Sequence, residues 1–96
     1  MSDHEVDVRE SPDEHRFEVH FDGELAGFTV YEERDPTTFA FVHTEVDPAF
    51  GGHGLGSVLV RGAMDAMAAR GIAVVPRCPF VRAWLEKHPE HPVAQA

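Results

Sequence analysis

The fold of this chain is decided by Thr38-Phe39-Ala40-Phe41-Val42-His43-Thr44-Glu45-Val46 and, soon after it, Phe50-Gly51-Gly52-His53-Gly54-Leu55-Gly56-Ser57. The first stretch is predicted to be a β-strand. After the glycines, apolar residues recur at helical spacing over 54–70, and Gly71 ends the predicted helix. The run at 72–75 is all apolar, as expected for a strand covered on both faces. This part of the chain therefore predicts a βαβ crossover.

The residues before 38 predict an antiparallel meander. Asp22-Gly23 is a strong hairpin signal, and 25–31 supplies the returning strand. Pro79 can begin a final helix over 80–88. The apolar positions that alternate with polar ones are Val6, Val8, Phe17, Val19 and Phe21. The prediction is an α/β fold with one mixed sheet, in which an antiparallel N-terminal meander precedes the βαβ crossover and a C-terminal helix.

Length and composition predict one domain over 1–96, with loose ends at 1–4 and 89–96. The 17 acidic and 8 basic side chains give a formal net charge of −9, which opposes binding to nucleic acid and to anionic membranes. That charge favours a cationic partner or simply keeps the protein soluble. A single cysteine and the lack of a long apolar run predict a cytoplasmic protein. The seven histidines show no metal-ligand spacing, so no metal site is predicted.

The glycine-rich turn before the long helix predicts an anion site. Glycines expose backbone N–H groups there, and the helix start adds unpaired donors and the positive end of its dipole. The alternative is a flexible turn that packs on the sheet. A dinucleotide fingerprint beginning at Gly52 would need a glycine where Ser57 stands, and a P-loop would need a lysine before that serine. Neither nucleotide motif is present.

Gly54 and Gly56 match the glycines of the acyl-CoA signature Arg/Gln-x-x-Gly-x-Gly/Ala of the GNAT superfamily of N-acetyltransferases. The chain resembles the short YjdJ-like branch of that superfamily from its first hairpin to His88. Two positions depart from the family pattern, namely Gly51 at the Arg/Gln position and His53 where a basic residue is frequent. The remaining motifs are His43-Thr44-Glu45-Val46, Pro76-Arg77-Cys78-Pro79-Phe80-Val81 and Lys87-His88-Pro89-Glu90.

The resemblance implies that acetyl-CoA is the cofactor and that an acyl group passes from CoA to an amine. It places the pyrophosphate on the backbone of the turn and the pantetheine arm along the preceding strand, near Val46. The alternative is an acyl-CoA-binding or partner-binding module without turnover. The residues expected to line the pyrophosphate site are Gly52, His53, Gly54, Leu55, Gly56 and Ser57.

Cys78 is the only thiol and stands between Arg77 and the helix start at Pro79. An arginine and a helix N-terminus both favour a thiolate. The resemblance implies a position beside the acyl thioester, where the cysteine protonates the departing CoA thiolate or takes the acyl group as a nucleophile. The alternative is an inert buried cysteine.

His43 and Glu45 lie two residues apart in the predicted strand, so we expect them on the same face as Phe39 and Phe41. Beside a bound acyl-CoA they could remove a proton from an incoming ammonium group. The alternative is a hydrogen-bonded pair at the rim of the site. A backbone N–H of this strand could polarise the thioester carbonyl.

The resemblance also bears on the acceptor. Typical members of the superfamily are longer and use N-terminal helices to wall the acceptor site, whereas this chain begins with a hairpin. The expected acceptor is an amine, cationic or macromolecular, and a homodimer or a partner protein could complete the site. Members often use a tyrosine of the last helix as general acid. Here Trp84 lies on that helix and Tyr31, the only tyrosine, lies on the third strand, which favours Cys78 as the acid.

Overall fold

The computed structural model describes residues 4–96, which form one five-stranded sheet and two α-helices. Each strand pairs with the next along the chain; the first four are antiparallel, and β5 is parallel to β4. This arrangement confirms the predicted α/β fold with a mixed sheet. The elements are β1 Val6–Ser11, β2 Arg16–Phe21, β3 Glu24–Asp35, β4 Thr38–Val46, α1 Leu55–Ala69, β5 Ala73–Pro76 and α2 Pro79–Lys87.

Both helices pack on the same face of the sheet. A Cβ added at Gly56 of α1 would lie 2.6 Å from the Phe80 ring of α2, and Trp84 Nε1 donates to Ser57 Oγ over 3.1 Å. Apolar and polar residues alternate along β2, so its buried apolar side chains all lie on one face, the one covered by the helices. Neither helix is long and apolar enough to cross a membrane.

We call the opposite side of the sheet the open face, since no helix within residues 4–96 packs on it. Cross-strand pairing places the polar side chains of β2 beside those of β3 and β4 there. Arg16 lies 4.6 Å above the centre of the Phe28 ring on this face. The side chains that define the open face are Arg16, Glu18, His20, Leu25, Phe28, Val30, His43 and Glu45.

A β-bulge divides β4. The strand has one more residue than β3 between the paired positions Phe41 and His43. Because this bulge at Val42 shifts the alternation by one, His43 and Glu45 turn to the open face while Phe41 stays on the helix side. The prediction that His43 and Glu45 share a face with Phe39 and Phe41 is therefore wrong.

The C-terminal tail, residues 89–96, is packed against the fold, so the prediction that it is loose is wrong. Val93 is 6% exposed and belongs to the core. Val74 N–H donates to Ala94 O over 2.8 Å, and Ala96 N–H donates to Val74 O over 2.9 Å. The tail thus pairs with backbone groups of Val74 at the outer edge of β5, which would otherwise be hydrogen-bonded to water.

The predicted loose N-terminal segment, 1–4, can be compared only at its last residue, because residues 1–3 lie outside the described part. His4 Nδ1 lies 2.8 Å from Asp22 Oδ2, and the His4 ring centre is 4.6 Å from that of Phe21. His4 is therefore held against the turn between β2 and β3.

We expect Val93→Ala to lower the free energy of unfolding by about 1.5 kcal/mol, because each buried CH₂ group contributes roughly 0.8 kcal/mol. Urea unfolding followed by circular dichroism measures this change. Gln95→Ala is the matched control, since Gln95 is exposed and its bridge to Val74 uses only the backbone. Equal stability of the Val93→Ala and wild-type proteins would show that the tail is undocked in solution.

Candidate active site

The two parallel strands separate within the sheet. The pairing of β4 with β5 ends at Phe41, whose carbonyl accepts from Arg77 N–H over 3.1 Å and from Cys78 N–H over 2.8 Å. Strand β4 nevertheless continues to Val46. Residues 42–46 therefore have no strand partner on the β5 side within the described part of the chain. We call this segment the free edge; it offers backbone donors and acceptors to an extended ligand.

The glycine-rich turn lies between the free edge and α1. Gly52 and Gly54 have φ angles of +86° and +66°, which a side chain would strain. Gly54 is the N-cap of α1, and Val58 N–H makes the first intrahelical bond, to Gly54 O over 3.3 Å. Within residues 4–96, the N–H groups of 52–54 have no backbone acceptor. The turn therefore presents a row of donors at the positive end of the helix dipole.

The side chains of this turn are mostly engaged elsewhere. Leu55 is 2% exposed and packs in the core. Ser57 Oγ accepts the indole N–H of Trp84, and the His53 ring lies 4.5 Å from that of Phe21. Gly56 leaves room for the neighbouring helix. The predicted anion site therefore depends on backbone N–H groups rather than on side chains. Val46, at the end of β4, is paired with Gly27 of β3.

Cys78 lies on the helix side of the sheet, where β4 and β5 separate. The residue is 4% exposed and is the N-cap of α2. Its Sγ donates to Thr44 Oγ1 over 3.3 Å, and Thr44 Oγ1 is 2.9 Å from Thr29 Oγ1. Thr44 is absent from the predicted site, because only the bulge in β4 turns its hydroxyl toward the thiol.

His43 and Glu45 form a pair on the open face. His43 Nε2 lies 2.8 Å from Glu45 Oε2, and their side chains are 55% and 61% exposed. Cys78 borders the free edge from the helix side, so the structure places the predicted acid and the predicted base on opposite faces of β4. A group lying along the free edge would pass between them.

A sequence model described as GCN5-related N-acetyltransferase matches residues 16–94. The chain belongs to this family. It is an N-acetyltransferase of the GNAT type, and enzymes of this family transfer acetyl groups, generally from acetyl-CoA, to an acceptor. No curated protein sequence matches the chain.

Three solved structures have the same fold. A GCN5-like protein from Staphylococcus aureus is 18% identical, with a TM-score of 0.68 over 94% of this chain and 89% of its own. Ard1 from Thermoplasma volcanium is 20% identical, with a TM-score of 0.60 over 78% and 55%. A GNAT-family acetyltransferase from Streptococcus pneumoniae is 18% identical, with a TM-score of 0.53 over 78% and 52%. The chain spans about half the length of the last two.

Tyr31, the only tyrosine of this N-acetyltransferase, lies away from the free edge. Its hydroxyl donates to Glu10, whose carboxylate also accepts from Arg70 at the C-terminal end of α1, over 3.0 Å. Burial, with a further contribution from the Glu10 carboxylate, raises the pKa of Tyr31 far above its usual range. A tyrosine held in this way is a poor proton donor for a leaving thiolate.

One cavity opens beside the free edge. Its volume is about 370 Å³, and sequence reasoning missed it. The cavity forms where a bulge in β3 at Ala26 meets the end of β4, and Asp47 N–H donates to Ala26 O over 2.8 Å. Its lining consists of Leu25, Ala26, Gly27, Phe28, Glu45, Val46, Asp47 and Pro48.

Proposed function

We propose that this N-acetyltransferase takes the acetyl group of acetyl-CoA and transfers it to an amine, as a member of the short YjdJ-like branch of the family. The observation that carries the proposal is the free edge of β4 lying next to the N–H groups of the glycine-rich turn, which have no backbone acceptor within residues 4–96. An extended arm with an anionic end matches this pair of features, and acetyl-CoA has that shape and charge. The match of motifs over nearly the whole of a 96-residue chain supports the branch.

The backbone of the turn would hold the pyrophosphate. Within residues 4–96, the N–H groups of 52–54 donate to no backbone acceptor, and the first bond inside α1 is the one from Val58 N–H. Charge-assisted hydrogen bonds from such donors are stronger than neutral ones. The net charge of −9 repels an anionic ligand, so binding of the pyrophosphate would depend on these local donors.

The pantetheine arm would pair with the free edge and bring the thioester between the two faces of the sheet. A backbone N–H of 42–46 would donate to the thioester oxygen as negative charge develops there. On the open face, the pair of His43 and Glu45 would accept a proton from the incoming ammonium group. The amine nitrogen then forms a bond to the acyl carbon as the carbon–sulfur bond breaks. The nitrogen gives its second proton to water as the amide forms, and water returns a proton to Cys78 after the thiol has protonated the departing sulfur.

Cys78 would supply the proton that the departing CoA thiolate needs. The bond from Cys78 Sγ to Thr44 Oγ1 holds the thiol beside the free edge on the helix side, and its proton would turn from Thr44 to the departing sulfur. Placing the base on one face and the acid on the other matches a reaction in which the amine enters from one side and the thiolate leaves on the other. This geometry favours the acid role of Cys78 over the nucleophilic one.

Incubation with labelled acetyl-CoA and a panel of amines tests the proposal. We expect acetylated amine with the wild-type protein, and a rate reduced by roughly 10²–10⁴-fold in Glu45→Gln, the usual contribution of a general base. Glu32→Gln is the matched control, because Glu32 is an exposed carboxylate of β3 outside the cavity and the free edge. Acetyl-CoA binding without transfer to any amine would contradict the proposal and favour the alternative of an acyl-CoA-binding module without turnover.

A further inference from the structure

We infer that the cavity beside the free edge is the acceptor site and that it takes a small primary amine with an apolar body, such as an arylalkylamine. The inference rests on the proposed function and adds the chemical class of the acceptor. For reference, we call this cavity the acceptor cleft; its lining residues are those given above.

The position of the acceptor cleft fits an acceptor. Leu25, Phe28 and Glu45 all lie on the open face, where cross-strand pairing places them side by side. Glu45 and Val46 belong both to the cleft and to the free edge. A molecule in the cleft therefore reaches the free edge from the side opposite α1 and α2, and it does so next to the pair of His43 and Glu45.

The size and walls of the cleft favour a small apolar body. Its volume of about 370 Å³ falls within the range of small-molecule sites, roughly 300–1,000 Å³. Leu25 is 43% exposed although it is a large apolar side chain. Phe28 and Pro48 add further apolar surface. Gly27 lets β3 lie close to the end of β4, since a Cβ there would lie 2.6 Å from Glu45 O. Arg16 already covers part of the Phe28 ring, so Leu25 offers the larger exposed apolar surface, and an apolar group that covers it is stabilised by removal of both surfaces from water.

The charge of the cleft selects a cation. The only ionisable residues in its lining are two acids, Glu45 and Asp47. Asp47 accepts from Ala49 N–H through Oδ1 over 2.9 Å, which leaves Oδ2 for a ligand. Glu45 is hydrogen-bonded to His43 at the rim, so an ammonium group at this carboxylate also lies beside the proposed proton acceptor. An anionic acceptor would meet two like charges and no basic side chain of the lining.

The acceptor preference follows from these walls. Phenethylamine offers one ammonium group and an apolar body, ethanolamine offers the same ammonium group without that body, and spermidine offers several charges. We expect kcat/KM for phenethylamine to exceed that for ethanolamine by at least about 10-fold, since one methylene group in an apolar pocket discriminates by roughly 10–200-fold and a phenyl ring is larger. A lysine-rich peptide is the comparison for a macromolecular acceptor.

Acetyl transfer to these four acceptors tests the inference, with the full chain and saturating acetyl-CoA. We expect Leu25→Ala to reduce the preference for phenethylamine over ethanolamine by about 5–10-fold, on the same scale of apolar discrimination. Val6→Ala is the matched control, because Val6 is an apolar residue that is 40% exposed on β1, outside the cleft. Methyl NMR of Leu25 with CoA bound should also respond to phenethylamine.

Transfer to spermidine or to the peptide with no preference for phenethylamine would contradict the assignment of the acceptor cleft, while the proposed function would still hold. The same holds for a Leu25→Ala protein with an unchanged preference. Absence of transfer to all four amines would contradict the proposed function as well. A phenethylamine-induced shift at residues outside the cleft, without one at Leu25, would place the acceptor elsewhere.

Discussion

Replacing Cys78 by serine is expected to lower the turnover of acetyl transfer by roughly 10²–10⁴-fold, the usual contribution of a positioned general acid. Serine is nearly isosteric with cysteine and can keep the hydrogen bond to Thr44. It is a much weaker acid than a thiol, so the departing thiolate would lose its proton source. We expect the fold and the affinity for acetyl-CoA to be unchanged, as measured by circular dichroism and calorimetry.

Two further measurements separate this role from packing and from covalent catalysis. Met64→Leu changes a fully buried residue of α1 at nearly constant volume, and we expect it to leave turnover intact. Intact-mass measurement after treatment with acetyl-CoA should show no acetyl adduct on Cys78 if the residue acts as an acid. An adduct that is lost in Cys78→Ser would make the cysteine a carrier. Full turnover in Cys78→Ser would show that Cys78 has only a packing role.

Replacing Gly54 by valine is expected to weaken acetyl-CoA binding by at least about 100-fold. The side chain would stand where the phosphate must approach the backbone, and each lost charge-assisted bond contributes about 1.5–3 kcal/mol. Losing two of them is equivalent to a factor of at least about 100 in affinity. Calorimetric titration with acetyl-CoA measures the change.

The matched control for this variant is Gly71→Val. Gly71 has a φ of +68°, close to the +66° of Gly54, and an added Cβ would meet no other atom within 4 Å at either position. Both variants therefore carry similar backbone strain, about 1–2 kcal/mol, but only Gly54 lies in the glycine-rich turn. Equal acetyl-CoA affinities of the two variants would show that the glycine-rich turn does not bind the cofactor.

The crossover from β4 through α1 to β5 could be predicted because each signal in it is local. The apolar period changes from strand to helix at the glycine-rich turn, and Gly71 adopts the positive φ that ends such a helix. Strand β4 has the predicted bounds, Thr38–Val46. These features depend on residues close together in the sequence.

The bulge at Val42 could not be predicted, because an extra residue in a strand leaves no mark on its composition. Its consequence is large: it sends His43 and Glu45 to the open face and turns Thr44 toward Cys78. His43 and Glu45, expected on the face of Phe39 and Phe41, therefore lie on the opposite face of β4 from Cys78.

The tail and the acceptor cleft depend on contacts between distant segments. Val93 is a lone apolar residue beside Pro92, so it has no periodicity, yet it fills a place in the core. The cleft requires the bulge at Ala26 and its backbone bond to Asp47. Such long-range placements arise from packing of the whole sheet, which a pattern in a short window does not describe.

The most direct test of the central claim is a titration of the ¹⁵N-labelled protein with acetyl-CoA, followed by amide NMR shifts. The account predicts saturable shifts at 52–58, from the pyrophosphate, and at 42–46, from the pantetheine arm on the free edge. Shifts at both segments would place the acyl donor between Cys78 and the pair of His43 and Glu45. The absence of shifts, or shifts confined to residues outside both segments, would contradict the account.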